Sequence, residues 1–497
     1  MVHWCGLATK RFDVGAARDK AFRFLELIMA LLSYPNDLSD KPQSDIHQAR
    51  RHGAGNGDFG EILACGFGTS GLMWALGYVC RMPGAAIPAG VILALMLLAL
   101  VLGGGFAAAT TNQGWRGGLF SGVVAGIANL LILGTLGHDL TTDHRIIDYM
   151  LLWGFSSLAL SGLLGVFGAL IGQRLNPDRE SRLHGEGAFT LITACITLLL
   201  ILAGGMVTGF NAGLSVPDWP DVFRYNMFLF PLTRMTGGVY FEHTHRLLGT
   251  LVGLATMTQA VYLWFRDHRR WVKGLAILAL LMVIGQGILG GLRVTGHFTG
   301  DQSRIHMDPS TRLAIVHATF GQIVFAVLVA IAVVCSRSWR SNLETVSRGG
   351  VGTDFILSWT LVFLLIIQLS LGAILRHTGR LLVWHIGLAT VLLLLAMFVG
   401  IRTWALHQDE PILRRLGVAL LSVVGLQVLL GVGAVIATDG GHVLAHPLFW
   451  QAMVTTAHQF CGAVLLATAL MLALWTLRFQ AKPHPRLEQP AKMPAVR

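Results

Sequence analysis

The sequence predicts an all-α integral membrane protein of about 12 transmembrane helices, including an eight-helix core of two repeated four-helix bundles. Three observations predict it. Of the 497 residues, 54% are hydrophobic and only 13% charged, about half the charge of an ordinary soluble domain. Mean hydropathy is +0.63, and the apolar residues fall in blocks long enough to cross a bilayer, which takes about 20 residues as helix. A glutamine–glycine motif and a set of histidines recur at matched spacings. Together these exclude a soluble enzyme and a disordered or fibrous chain. The net charge of +11 reads as membrane orientation, not as nucleic-acid binding. Six scattered cysteines without a Cys-x-x-Cys pair point to neither a disulfide framework nor a zinc site.

Taken in order, the chain opens with a cytoplasmic segment, 1–58, in which Phe22 to Leu32 is too short to span and reads as an interfacial helix. Spans are expected to begin near Glu61, Ala86, Gly118 and Tyr149, which gives a four-span extension over 59–185. Eight more begin near Ala188, Glu242, Gly274, Leu313, Asp354, Leu381, Leu416 and Phe449. They divide into four-helix halves at 186–336 and 354–478, followed by a tail, 479–497. Most of the 37 Lys and Arg fall on one side when the N-terminus is cytoplasmic, so both termini are expected inside and the loops 209–241 and 438–449 outside.

The halves are read as a duplication. Gln-x-x-Leu-Gly occurs at Gln286–Gly290, Gln368–Gly372 and Gln427–Gly431. His317 follows Gln286 by 31 residues and His458 follows Gln427 by 31; His245 and His317 are 72 apart, His385 and His458 73. The glutamines themselves read as helix-packing residues. The spacing still indicates two homologous units related by an axis along the membrane normal.

Ionisable residues inside a span are functional candidates, because burying them in hydrocarbon is costly. His245, His317, His385 and His458 each lie roughly four to eight residues inside the outer end of an outside-to-inside helix, on the order of 6 to 12 Å deep. One such histidine is ordinarily a packing residue. Four at one depth, in repeat-related pairs, point to axial ligation of haem iron between facing helices; zinc would call for cysteine or carboxylate ligands that are missing at this depth. His243 lies about 200° around the helix from His245 and is expected to be an interfacial side chain near water. Glu242 shares the His245 face, and spacing alone leaves it either a helix-start carboxylate or a general base beside the porphyrin. Arg246, Arg293, Arg312 and Arg376 sit at outer span ends, where snorkelling is commonest and where porphyrin propionates would also project. The segment Ala212-Gly-Leu-Ser-Val-Pro-Asp-Trp-Pro220 reads as an ordered outer loop, and His138, Asp139, Asp143 and His144 as a solvated polar loop.

Glu242-His-Thr-His-Arg-Leu-Leu-Gly249, the loop Gly213 to Pro220 after Gly204-Gly-Met-Val-Thr208, Leu371-Gly-Ala-Ile-Leu-Arg-His-Thr-Gly379, and the three further histidines together resemble the haem A synthase family over about residues 186–478. The resemblance implies a membrane oxidoreductase that oxidises the C8 methyl group of haem O to a formyl group through a hydroxylated intermediate, for cytochrome oxidase biogenesis. It assigns the substrate haem to the half with His245 and His317, haem b to the half with His385 and His458, and catalysis to Glu242. Arg246 and Arg376 are the candidates for binding propionates. It implies haem O as substrate, haem A as product and membrane lipid as surroundings, and admits haem O synthase, cytochrome oxidase assembly factors and a second copy of the chain as partners. The electron acceptor is unassigned. The rival reading is a di-haem cytochrome b exchanging electrons with quinone. A bacterial cytoplasmic membrane is the expected location. The cysteine pair that some bacterial members carry in their outer loops is absent here, and residues 1–185 match nothing in the family core.

Overall fold

A computed structural model describes residues 58–140, 146–177, 181–296, 311–341 and 351–480. Among them are twelve helices long and apolar enough to cross a membrane: α1 (Phe59–Cys80), α2 (Ala89–Thr110), α3 (Gly114–Leu140), α4 (Ile146–Gly172), α5 (Gly185–Gly209), α6 (Gly237–Arg266), α7 (Arg270–Thr295), α8 (Thr311–Cys335), α9 (Val351–Thr378), α10 (Leu382–Leu406), α11 (Pro411–Ala437) and α12 (Phe449–Gln480). No strand occurs among the described residues, only an isolated bridge between Val222 and Tyr225. The protein is a multi-pass, all-helical membrane protein. The Phe22–Leu32 segment and the side chains of His138, Asp139, Asp143 and His144 lie outside the described residues.

Several helices start one or more turns before their apolar windows: α6 at Gly237 against an expected Glu242, and α11 at Pro411 against Leu416. The added residues, Gly237-Gly-Val-Tyr-Phe241 and Pro411-Ile-Leu-Arg-Arg415, are helical as well, so the apolar window marks only part of each helix. Glu242 therefore sits in the second turn of α6, not at its start, which removes the helix-start explanation for it.

Helices α5–α8 and α9–α12 each pack as sequential antiparallel neighbours closed by a contact between first and last, α5 with α8 and α9 with α12. They meet each other through α5 against α12 and α8 against both α9 and α12. That interface has small residues where the backbones close: a Cβ on Gly209 would come 3.1 Å from the Cβ of Ala452, and one on Gly205 2.8 Å from Thr456. Close approach through small residues is how helices associate where lipid removes the hydrophobic drive. The extension α1–α4 is packed more tightly still. A Cβ on Gly104 would lie 2.1 Å from the Gly165 carbonyl oxygen, so α2 and α4 touch backbone to backbone. The extension packs on the first half, α1 lying along α5 and both α1 and α3 reaching α6.

At the bundle end opposite the histidines each half is tied by buried charge. In the first, Asp267 in the α6–α7 turn accepts from Arg269 and Arg340, both at 2.7 Å, and Arg340 also pairs with Glu186. In the second, Asp354 bonds Arg402 at 2.6 Å and His407 at 2.7 Å. Buried carboxylates are tolerable only with such partners.

Candidate functional site

His245, His317, His385 and His458 stand near the N-terminal ends of α6, α8, α10 and α12, each within about the first three turns. They come together in two pairs. The ring centroids of His245 and His317 are 6.4 Å apart with planes at 77°, and those of His385 and His458 are 6.3 Å apart at 76°. Two imidazole–metal bonds of about 2.1 Å, with about 1.2 Å from each bonding nitrogen to its ring centre, would separate facing rings by about 6.5 Å. The pairs thus fit a single metal ion held between axial imidazoles, as in a metal tetrapyrrole.

Each ring is seated on a glycine of the preceding helix. A Cβ on Gly204, Gly290, Gly372 or Gly431 would come within 3.0, 3.2, 3.1 or 3.1 Å of Cε1 of His245, His317, His385 or His458 respectively. In all four the Cε1–Nδ1 edge faces the seat and Nε2 is the farther nitrogen. The repeat unit is therefore a two-helix hairpin, present four times. Three seats carry a glutamine one turn earlier. Gln286 donates to the His317 carbonyl at 2.8 Å, Gln368 to the His385 carbonyl at 2.9 Å, and the Gln427 amide nitrogen lies 3.5 Å from His458 Nε2. The fourth has Leu200 at that position, which is why Gln-x-x-Leu-Gly marks three hairpins and not the first. The glycine seats are a feature sequence reading missed; their signal is a glycine in the helix before every intramembrane histidine.

Beside the second pair is a cavity of about 530 Å³ lined by His385, His458, Gly372, Gly431, Leu369 and Val428. Cavities that hold cofactors are concave, mainly apolar and of roughly 300–1,000 Å³, so this one also fits a porphyrin-sized ligand.

The first pair has an environment of its own. The Glu242 side chain, 4% exposed as a residue, is three residues from His245 on the same helical face. Its Oε2 accepts from the Val216 amide at 2.9 Å and its Oε1 from Arg246 Nη2 at 2.8 Å. Arg246 also donates to the Val216 carbonyl at 3.0 Å and the Asp218 carbonyl at 2.8 Å. The loop 212–220 is thereby fastened over α6 by the carboxylate and the guanidinium together. Trp219 of this loop lies flat enough on α7 that a Cβ on Gly291 would come 2.3 Å from its ring. The Arg293 guanidinium lies against Gly213, where a Cβ would be 2.5 Å from Nη2. Arg376 reaches across the interface and donates to the Thr208 carbonyl at the end of α5, while Arg312 is exposed.

His243 departs from its expectation. It is fully buried, both ring nitrogens lack a hydrogen-bond partner, and its ring meets Phe230 edge-on at 5.2 Å. Helical phase correctly turned it away from His245. Proximity to the span end did not make it wet, because the loop bearing Phe230 folds down over that face.

The fold and this site define a class: polytopic helical membrane proteins in which two repeated bundles each set an imidazole pair near one membrane face. Residues 187–385 match the family model described as cytochrome oxidase assembly protein. The chain is 35% identical to "Heme A synthase" of Lysinibacillus sphaericus over 106 residues, 21% of this chain and 33% of that protein. It is 25% identical to "Heme A synthase" of Beijerinckia indica over 209 residues (36% and 55%), and 26% identical to that of Listeria monocytogenes over 150 (30% and 44%). The chain spans about a third to about half the length of these curated relatives. Over these residues the chain is similar to the haem A synthases.

Proposed function

We propose that the protein converts haem O to haem A in a bacterial cytoplasmic membrane, with the histidine-bearing face outside and both termini inside. His245 and His317 hold the substrate; His385 and His458 hold a haem b, which supplies one-electron redox capacity when bound. The carrying observation is the buried Glu242 carboxylate one turn from His245, in the half whose imidazole pair lies under the 212–220 loop.

The reaction removes electrons and protons from a bound methyl group. A carboxylate at this position accepts a proton or stabilises developing positive charge, and a low-dielectric site strengthens either effect. Arg246 and the Val216 amide keep Glu242 aimed and fasten the 212–220 loop over α6. Gly204 and Gly290 seat the two imidazoles against the preceding helices, which would set the depth at which they hold the substrate relative to Glu242. Arg376 and Arg246, at the same face, are the residues proposed to meet the porphyrin carboxylates. Haem O synthase and cytochrome oxidase assembly factors are the partners this reading implies.

The test is extraction and chromatography of porphyrins from cells with and without this chain, in a host that makes haem O. Haem A is expected only when the chain is present. Two b-type haems in the purified protein with no haem A formed would replace this reading with an electron-transfer cytochrome b.

A further inference from the structure

The extension makes polar contacts with α6 at both ends of that helix. At the end opposite the histidines, Asp58 caps α1 by accepting from the Gly60 amide at 3.1 Å, and the same carboxylate accepts from the Tyr262 hydroxyl at 3.0 Å and pairs with Arg266 at 3.5 Å. At the histidine end, the Tyr240 hydroxyl donates to the Tyr78 carbonyl, with the two rings stacked at 5.8 Å and 24°. Beside the far-end tie, Phe67 of α1 packs on Phe189 of α5 at 5.5 Å, and Phe189 meets Tyr262 edge-on at 6.0 Å. Tyr78, Tyr240 and Tyr262 are all buried. Tyr240 is two residues from Glu242 and five from His245.

From Tyr240 the aromatic contacts run on into the site's surroundings: Tyr240 to Phe241 at 5.4 Å, Phe241 stacked on Phe210 of the α5 terminus at 4.4 Å, and Phe210 to Phe449 at the start of α12 at 6.1 Å. The equivalent helix of the second half makes its polar ties within its own bundle, Arg402 to Asp354 at the far end and Gln368 to the His385 carbonyl beside the site, and among the described residues none to a helix outside that bundle. Aligned on His245 and His385, Tyr240 corresponds to Arg380 and Tyr262 to Arg402, and Val383 and Trp384 of α10 are 82% and 71% exposed.

We infer that the four-helix extension is a brace for α6, with Tyr240, Tyr262 and Asp58 as positioning residues that fix the depth and tilt of Glu242 and His245. A helix tied at one end can tilt and slide; tied at both, it can do neither without breaking the Tyr262–Asp58 bond or parting the buried Tyr78–Tyr240 contact. This rests on the reading above only in taking His245 and His317 as a tetrapyrrole site.

The test uses the full chain in two backgrounds, one keeping only the first imidazole pair (His385→Ala with His458→Ala) and one only the second (His245→Ala with His317→Ala). Each is titrated with haem b, with and without Tyr240→Phe plus Tyr262→Phe, which remove the two hydroxyls and keep the rings. The expected result is about tenfold weaker binding at the first pair and unchanged binding at the second; Asp58→Asn, which still caps α1 and still accepts from Tyr262, should bind like the parent. Equal weakening in both backgrounds, or none in either, overturns the brace. Hydrogen exchange on the otherwise unaltered, haem-free chain gives an independent reading: amides of 237–245 should exchange at least tenfold more slowly than those of 382–390, and equal rates would also overturn it. Neither readout involves haem A, so a chain that binds haem as described but makes no haem A would sink the catalytic reading and leave the brace standing.

Discussion

The two halves carry the same imidazole geometry and differ in what surrounds it. On α6 the positions around His245 are Glu242, His243 and Arg246; the aligned positions around His385 on α10 are Leu382, Val383 and Ile386. Glu242 and Arg246 are hydrogen-bonded to a folded loop, and His243 is covered by it, whereas Val383 is 82% exposed on the outside of the bundle. The two halves share the imidazole frame and its glycine seats and differ in the flanking side chains. One half has a buried carboxylate under a fastened loop and beside the braced α6; the other has a mainly apolar lining beside a cavity. A site that performs proton-coupled chemistry needs the first set, and a site that only holds a redox group needs no more than the second.

The largest expected effect breaks that comparison at its centre. Glu242→Gln keeps the side-chain shape and the acceptor toward Val216 but removes the charge and the proton-accepting oxygen. Haem A formation should fall by about 100-fold or more, the range of a lost general base, while the Soret absorbance of the purified protein is retained. Leu382→Ala, at the aligned position of the other half, should leave haem A output within about twofold, as expected of a substitution that removes no catalytic group. Equal losses from the two substitutions would show that the halves do not divide the work.

A second effect probes what the halves share. Gly204→Ala and Gly372→Ala each put a methyl group 3.0 or 3.1 Å from an imidazole carbon, forcing the ring off its seat. Overpacking of this kind costs roughly 1–3 kcal/mol, so each variant should weaken haem b binding at its own pair by about tenfold, the equivalent of about 1.4 kcal/mol. The other pair should be unaffected. Spectral titration in the single-pair backgrounds reads both.

The histidines and their pairing were legible in the sequence because an ionisable residue inside an apolar window stands out against its surroundings, and the 31-residue spacing carries the duplication. The deeper fourfold repeat was hidden because Leu200 replaced the glutamine that marks the other three hairpins. His243 shows the limit of periodicity: helical phase says which way a side chain points, not what folds over it. The brace was illegible for the same reason, since Tyr240 lies 162 residues from Tyr78 and Tyr262 204 from Asp58, and nothing in an apolar helix states its lateral neighbour.

A smaller effect tests the glutamines. Gln286→Leu copies what the first hairpin already has at Leu200. It removes one amide donor to the His317 carbonyl, at a cost of about 0.5–1.5 kcal/mol. The thermal midpoint in detergent should drop by a few degrees with both haem affinities within about threefold of the parent. A loss of all binding at the first pair would make Gln286 part of the ligation machinery instead of a helix-packing residue.

The smallest effect concerns the charge clusters at the far end of the halves, and here pH sharpens the contrast. Asp267 lies in the α6–α7 turn, outside the spans. Burial alone would raise its pKa, but the hydrogen bonds and charge of Arg269, with Arg340 beside it, outweigh burial and hold it below its ordinary value of 3.8. A carboxylate whose folded pKa is depressed stabilises the fold fully above its unfolded pKa and loses that contribution as pH falls through the folded one. The first half should therefore lose stability progressively below about pH 4. Asp267→Asn should lower the thermal midpoint at pH 7, because it leaves Arg269 and Arg340 without their shared acceptor charge, and should flatten the acid dependence between about pH 4 and pH 2. If the variant and the parent lose stability in parallel over that window, the acid sensitivity belongs to other carboxylates, and the Asp267 cluster is a geometric tie whose charge contributes little.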